Sequence, residues 1–107
     1  MSDTPPPEDT TPPGYWLVHV TVTDAAAFFA YMRAVRPIFA RHEATYLARG
    51  GAVEQREGDS VGETTVVVRF PSYAAARACY DSDDYGAAIA LREGCATFNL
   101  SIVEGIS

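Results

Sequence analysis

Three segments of this chain alternate between an apolar side and a mixed side, the pattern of β-strands that bury only one face. In residues 15–22 every even position is apolar, from Trp16 to Val22, whereas the odd positions include His19 and Thr21. The other two segments are residues 63–70 and 96–103. Such a chain can fold only around a sheet that is covered on one side.

Helical patterns separate these strands. Asp24 is a predicted N-cap for a helix over residues 25–40, which Pro37 is expected to kink or divide. Ser72 and Ser82 are predicted to cap two further short helices. The remaining strand is predicted over residues 44–49, interrupted by Gly50-Gly51 and resumed over residues 52–57.

The resulting order is β-α-β-β-α-β, which predicts the ferredoxin-like α+β fold, a four-stranded antiparallel sheet with helices on one face. The opposite face carries polar side chains among apolar neighbours and has no cover within the chain. A second copy is the simplest cover, because two-fold symmetry lets one surface pair with itself. We therefore expect a homodimer whose two sheets face each other, a dimeric α/β barrel.

Composition bounds the domain and its partners. Residues 1–14 hold five of the seven prolines and three acids, so we predict a disordered acidic leader followed by a single domain over residues 15–107. The chain has 8 arginines, no lysine and 14 acids, a net charge of −6. This balance argues against nucleic-acid and anionic membrane partners, and the missing lysine excludes Schiff-base and P-loop chemistry.

The cellular location is predicted from two further features of the sequence. Only two cysteines are present, Cys79 and Cys95, which is typical of a reducing compartment. No segment has the apolar length of a membrane span or the order of a secretory signal. We expect a cytoplasmic protein.

The motifs of the chain resemble those of a bacterial family, domain of unknown function 1330, of the dimeric α/β-barrel superfamily. The resemblance spans residues 15–105. It is carried by residues 15–24, Tyr31, Arg49-Gly50-Gly51, Glu57-Gly58-Asp59, Phe70-Pro71-Ser72, Tyr80-Asp81-Ser82, Tyr85, Leu91-Arg92 and Val103-Glu104-Gly105. It implies this fold, a dimer, and a small-molecule cleft between the sheet and either the helices or the partner.

His19 and Arg69 are the candidate catalytic residues. Both are predicted on the uncovered face, near each other on adjacent, parallel first and third strands. An imidazole there could move a proton near neutral pH, and the guanidinium could hold a carboxylate or an oxyanion. Two structural alternatives stay open: a hydrogen-bonded histidine in the dimer interface, and an ion pair between Arg69 and an acid such as Glu63 or Glu57.

Six further residues are candidate ligand-binding groups. Asn99 and Ser101 share the open face with Tyr15 and could orient a ligand. Arg49, followed by Gly50-Gly51, could approach an anion, although the glycines also fit a structural bulge. Tyr85 and Arg92 lie seven residues apart and could line a cleft, or could serve helix packing alone.

The sequence predicts no cofactor and no metal site. The two histidines are 23 positions apart and no Cys-x-x-Cys or His-x-x-x-His motif occurs. A haem bound to one histidine is a weaker alternative.

The function we predict is a homodimeric protein that binds a small anionic or aromatic ligand in a cavity on the open sheet face. It could be a cofactor-independent enzyme of the monooxygenase, isomerase or cyclase type. The alternative is a non-catalytic ligand-binding or structural dimer module.

Overall fold

The computed structural model describes residues 11–107. In chain order its elements are β1 (Gly14–Val22), α1 (Ala25–Arg41), β2 (Thr45–Arg49), β3 (Thr64–Phe70), α2 (Tyr73–Asp81), α3 (Asp83–Leu91) and β4 (Ala96–Glu104). The four strands form one antiparallel sheet in the order β2-β3-β1-β4. The predicted ferredoxin-like α+β fold is confirmed.

The predicted helix starts are also confirmed. The Asp24 carboxylate accepts a hydrogen bond from the amide of Ala27, 3.1 Å away, and so satisfies one of the free amides at the start of α1. The hydroxyls of Ser72 and Ser82 do the same for α2 and α3. Pro37 lies inside α1 but does not divide it, since the helix continues to Arg41.

Two predictions about the strands are wrong. β1 and β3 are neighbours but run antiparallel. β3 lies between β1 and β2 and pairs antiparallel with both, so β1 is parallel to β2 and not to β3. Residues 52–57 are exposed and form no strand. The ladder between β2 and β3 ends at the pair Arg49 and Val66, and Gly50 turns the chain away with φ +75°. The bulge of β2 lies earlier, between Tyr46 and Ala48.

The alternation of the strands places one face under the helices. Trp16 is the centre of this buried layer, and its ring contacts Phe39, Phe70 and Tyr85 at centroid distances of 5.0 to 5.5 Å. The indole Nε1 donates to the carbonyl of Ala76, 2.9 Å away. This bond joins β1 to α2 and satisfies the polar atom of an otherwise apolar side chain.

Close backbone contact fixes the start of β1 against α2. A Cβ atom on Gly14 would lie 2.6 Å from the Cα atom of Tyr73, so only glycine fits there. Gly14 belongs to β1, and the carbonyl of Pro13 accepts from the amide of Gly105. The remainder of the predicted leader falls largely on residues 1–10, which lie outside the described residues. Between residues 11 and 107, no helix combines the length and apolar character needed to span a bilayer.

Candidate functional site

A cavity of about 480 Å³ lies between α1 and the helix-covered face of the sheet. All four strands contribute to its wall, and the lining is mostly apolar. The aromatic members are Trp16, Phe28, Phe29, Tyr31, Phe39, Tyr46, Tyr85 and Phe98. The volume falls within the range of sites for small organic molecules, which are concave, apolar and carry a few convergent polar groups. The cavity of the single chain therefore lies between the sheet and the helices, which is one of the two positions implied by the family resemblance, and not on the open face.

Two tyrosines form a hydrogen-bonded pair in the cavity wall. The hydroxyls of Tyr31 on α1 and Tyr85 on α3 are 2.7 Å apart, and both rings are buried. Burial raises the pKa of Tyr31 and of Tyr85 above the ordinary value for tyrosine. For Tyr85 the neighbouring Arg92 guanidinium opposes this effect and lowers its pKa. Both hydroxyls therefore stay neutral near pH 7.

Arg92 lies directly behind this pair, just after the end of α3. Its guanidinium carbon is 3.7 Å from the centroid of the Phe98 ring and 5.5 Å from that of Tyr31. Such contact with aromatic faces stabilises a partly desolvated cation. Within residues 11–107 its buried Nε atom has no hydrogen-bond partner. A positive charge is thus held next to the two hydroxyls.

Three other arginines line the cavity: Arg33 and Arg36 on α1, and Arg49 at the end of β2. All three are exposed, so they lie at its mouth. The Arg49 guanidinium is 4.5 Å from the Tyr46 ring centroid. In the described part of the chain the ion pairs are Arg41 with Asp84 and Arg56 with Glu54, which leaves the three mouth arginines without an acidic partner.

The open face of the sheet holds the remaining predicted site residues. His19 on β1 lies opposite Thr65 on β3 and Asn99 on β4, and its Nδ1 is 3.3 Å from the Thr65 hydroxyl. Arg69 lies opposite Tyr15, four positions along the strand from His19. This spacing corresponds to about 13 Å. The expectation that His19 and Arg69 are close neighbours is therefore wrong.

The structure separates the predicted site residues into two groups. Arg49 and Tyr85 line the cavity, and Arg92 stacks behind its wall. The other five lie on β1, β3 and β4 at positions that face away from the helices: Tyr15, His19, Arg69, Asn99 and Ser101. Their predicted roles stay predictions for the open face.

Sequence reasoning missed three residues of the cavity as ligand-binding groups. Tyr31 belongs to the family motifs, and its helical spacing from Phe28 and Val35 places it on the buried side of α1. Arg33 and Arg36 were not singled out, but their three-residue separation places both on one side of the helix. No His, Cys, Asp or Glu cluster suited to a metal ion occurs within residues 11–107.

Comparison with known proteins identifies relatives of the fold. The family model described as domain of unknown function (DUF1330) matches residues 13–106. A crystal structure of a protein of unknown function from Rhodopseudomonas palustris is 19% identical with a TM-score of 0.71, covering 94% of this chain and 87% of that one. No functionally curated protein matches the sequence.

Two other solved structures share the fold at lower similarity. SnoaB, a cofactor-independent oxygenase from Streptomyces nogalater, is 14% identical with a TM-score of 0.58, covering 91% of this chain and 96% of SnoaB. A conserved protein of unknown function from Bacteroides thetaiotaomicron, described as a possible oxidoreductase, is 13% identical with a TM-score of 0.52. The match covers 88% of this chain and 98% of that protein. At these identities the likeness concerns the fold.

Proposed function

This chain belongs to the family described as domain of unknown function 1330, and we propose that it binds a small aromatic anion in the cavity between α1 and the sheet. One observation carries the proposal. An apolar cavity of about 480 Å³ opens between three arginines that have no acidic partner among the described residues. The lining selects an apolar or aromatic body, and the mouth selects a negatively charged group.

The charge distribution supports an anionic ligand. Residues 11–107 contain 8 arginines and 11 acids, a net charge of −3, yet Arg33, Arg36 and Arg49 meet at one opening. An anion bound at this opening would be attracted by all three charges. A carboxylate at the mouth is such an anion and accepts paired hydrogen bonds from a guanidinium.

The second part of the proposal is a homodimer formed through the open face. Leu17 is 39% exposed at the centre of this face, and Val103 on β4 and Leu47 in the bulge of β2 are also exposed. The polar members His19, Asn99 and Ser101 lie among them. A second copy that packs sheet against sheet removes the apolar side chains from water and encloses the polar ones.

Cofactor-independent catalysis is the finer functional proposal, and the non-catalytic binding module is its alternative. The description of SnoaB as a cofactor-independent oxygenase on this fold supports the first. In that proposal the dimer interface provides a second compartment in which His19 moves a proton. Arg69, about 13 Å away along the sheet, would hold a remote carboxylate of the substrate. Cys79 and Cys95 are both free and buried, which supports a cytoplasmic location.

A pair of neighbouring substitutions tests where the ligand binds. Val66 and Val67 are adjacent on β3, but Val66 lines the cavity whereas Val67 faces Leu17 across the open side. Calorimetric titration with 2-naphthoate is expected to show a Kd of about 1 mM or tighter, from about 0.3 kcal/mol per ligand atom. Val66→Phe is expected to abolish this binding and Val67→Phe to preserve it.

Loss of binding in Val67→Phe but not in Val66→Phe would place the ligand on the open face. Absence of binding to the wild-type protein would refute the proposal. Circular dichroism of both variants controls for folding. The catalytic part is tested by oxygen consumption with a panel of aromatic ketones. If a turned-over substrate is found and His19→Ala retains full turnover, His19 has no part in the reaction.

A further inference from the structure

We propose that the Tyr31 hydroxyl, held by Tyr85 with Arg92 behind it, donates a hydrogen bond to a carbonyl, enolate or phenolate oxygen of the ligand in this cavity. The inference rests on the proposed function and narrows its ligand class. The ligand would be an aromatic acid that carries a second oxygen, ketonic or phenolic, at the end remote from its carboxylate.

The two tyrosine hydroxyls carry one proton that the hydrogen bond between them does not use. Two hydroxyls carry two protons, and the 2.7 Å bond between Tyr31 and Tyr85 consumes one of them. In residues 11–107 neither hydroxyl makes a hydrogen bond to any other acceptor. Whichever tyrosine donates within the pair, one O–H group remains, and both residues belong to the cavity wall. A buried donor without an acceptor is costly, and a ligand oxygen supplies one.

Exposure identifies the tyrosine that a ligand contacts. Tyr85 is 0% exposed, whereas Tyr31 is 6% exposed. Both rings border the cavity, and we assign the ligand-facing hydroxyl to Tyr31 as the more exposed member of the pair. In this arrangement Tyr85 donates to Tyr31, and Tyr31 donates to the ligand. Tyr85 and Arg92 are positioning residues, and Tyr31 is the residue that contacts the ligand oxygen.

Arg92 gives this donor a preference for negative charge. The guanidinium lies 5.5 Å from the Tyr31 ring centroid and 3.7 Å from that of Phe98, and its charge is not neutralised by an acid in the described part of the chain. Electrostatic attraction is stronger in such a buried environment than in water. The neighbouring positive charge would polarise the hydrogen bond between Tyr85 and Tyr31. An oxygen that develops negative charge is therefore favoured over a neutral one.

The tyrosines act as donors and not as bases, because burial raises the pKa of each. The other titratable or charged groups that influence the pair are Tyr46 on β2, Tyr80 on α2 and Arg92. None of these is an acid. Among these three residues Arg92 carries the positive charge, which favours an ionised ligand oxygen.

The position of the pair sets the distance to the carboxylate end of the ligand. Tyr31 contacts Phe98 on β4, and Arg49 lies on β2. These are the two outer strands of the sheet, whose backbones are three strand spacings or about 14 Å apart, so the two groups would act on opposite ends of an extended ligand. In 6-hydroxy-2-naphthoate the carboxylate and the hydroxyl lie at opposite ends of the ring system, and each can form a hydrogen bond of about 2.8 Å.

Titration with two naphthoates tests the inference. The wild-type protein is expected to bind 6-hydroxy-2-naphthoate about tenfold more tightly than 2-naphthoate. Tyr31→Phe is expected to reduce this ratio to about one without changing the affinity for 2-naphthoate. Tyr80→Phe is the matched control: its ring contacts Trp16 and Tyr85, but Tyr80 does not line the cavity. That variant is expected to keep the tenfold ratio.

A spectroscopic measurement on the wild-type protein does not depend on the folding of a variant. The absorbance of the bound naphthol is expected to show ionisation at a lower pH than that of the free ligand, because the site favours the naphtholate. If 2-naphthoate binds but the 6-hydroxyl group changes neither the affinity nor its own ionisation, the inference is overturned and the proposed function stands. If neither naphthoate binds, the proposed function fails as well.

Discussion

Arg49→Gln removes one of the three positive charges at the cavity mouth and leaves a shorter, uncharged polar side chain. Arg49 pairs with Val66 through the backbone at the end of β2, and its guanidinium lies over the Tyr46 ring, 4.5 Å from the centroid. The substitution keeps the backbone pairing and changes the charge. It should therefore weaken the binding of 2-naphthoate without unfolding the protein.

The magnitude follows from Coulomb's law. Two unit charges about 4 Å apart interact with about 1 kcal/mol in bulk water and about 4 kcal/mol at an effective dielectric constant of about 20. Arg49 is exposed, so the lower figure is the closer one. We expect a loss of about 1 to 1.5 kcal/mol, which is about tenfold in Kd. The wild-type affinity should also fall with added salt, because the Debye length decreases from about 10 Å at 0.1 M to about 3 Å at 1 M.

Isothermal titration of 2-naphthoate and of its uncharged amide measures this effect. The amide should bind Arg49→Gln and the wild-type protein equally. Arg77→Gln is the matched control, because Arg77 also lies over a tyrosine ring, that of Tyr73, but does not line the cavity. Equal losses for acid and amide, or the same loss in Arg77→Gln, would refute an electrostatic role for the mouth.

Three further predictions concern assembly and stability. Leu17→Arg should convert the dimer to a monomer in light scattering, because it places a charge in the proposed interface. Leu91→Arg, at an exposed position of α3, should leave the dimer intact, and a dimeric Leu17→Arg protein would contradict the sheet-to-sheet assembly. Trp16→Phe should lower the free energy of unfolding in urea by about 1 to 3 kcal/mol, because the indole bond to the Ala76 carbonyl and part of a buried ring are lost. An unchanged midpoint would contradict this role for Trp16. Burial raises the pKa of the Cys79 thiol to about 11, so the folded protein keeps a proton that the unfolded chain loses near pH 9, and stability should fall as the pH rises from about 9 toward 11. Cys79→Ala should reduce that slope, and an identical slope would contradict the assignment.

The sequence predicted the features that depend on local periodicity. The alternation along residues 15–22 predicts that Trp16 and His19 lie on opposite faces of the sheet, because successive side chains of a strand point to opposite faces. The caps at Asp24 and Ser82 were predictable because an N-cap acts on amides three residues away. These interactions do not require knowledge of the remainder of the chain.

The position of the cavity was not predictable in this way. Tyr31 and Tyr85 are 54 positions apart, and they meet only because α1 and α3 pack side by side. The space between α1 and the sheet depends on how close large residues such as Phe28 and Phe39 allow the helix to approach. Alternation indicated which face is buried, but it carries no information on whether that face is completely filled.

The extended segment after Gly50 shows the same limit. Residues 52–57 contain one residue type that is enriched in strands, Val53, and a strand also needs a partner to which it can hydrogen-bond. β3 begins only at Thr64, and its ladder with β2 is already complete at Arg49. The segment therefore extends beyond the paired part of the sheet and stays irregular.

The most direct test of the central claim is a crystal structure of the wild-type protein in complex with 2-naphthoate. We predict that the naphthalene ring lies between α1 and the sheet, against Trp16 and Val66, with its carboxylate within hydrogen-bond distance of at least one of Arg33, Arg36 and Arg49. A ligand bound instead on the open face, beside His19, would contradict the account.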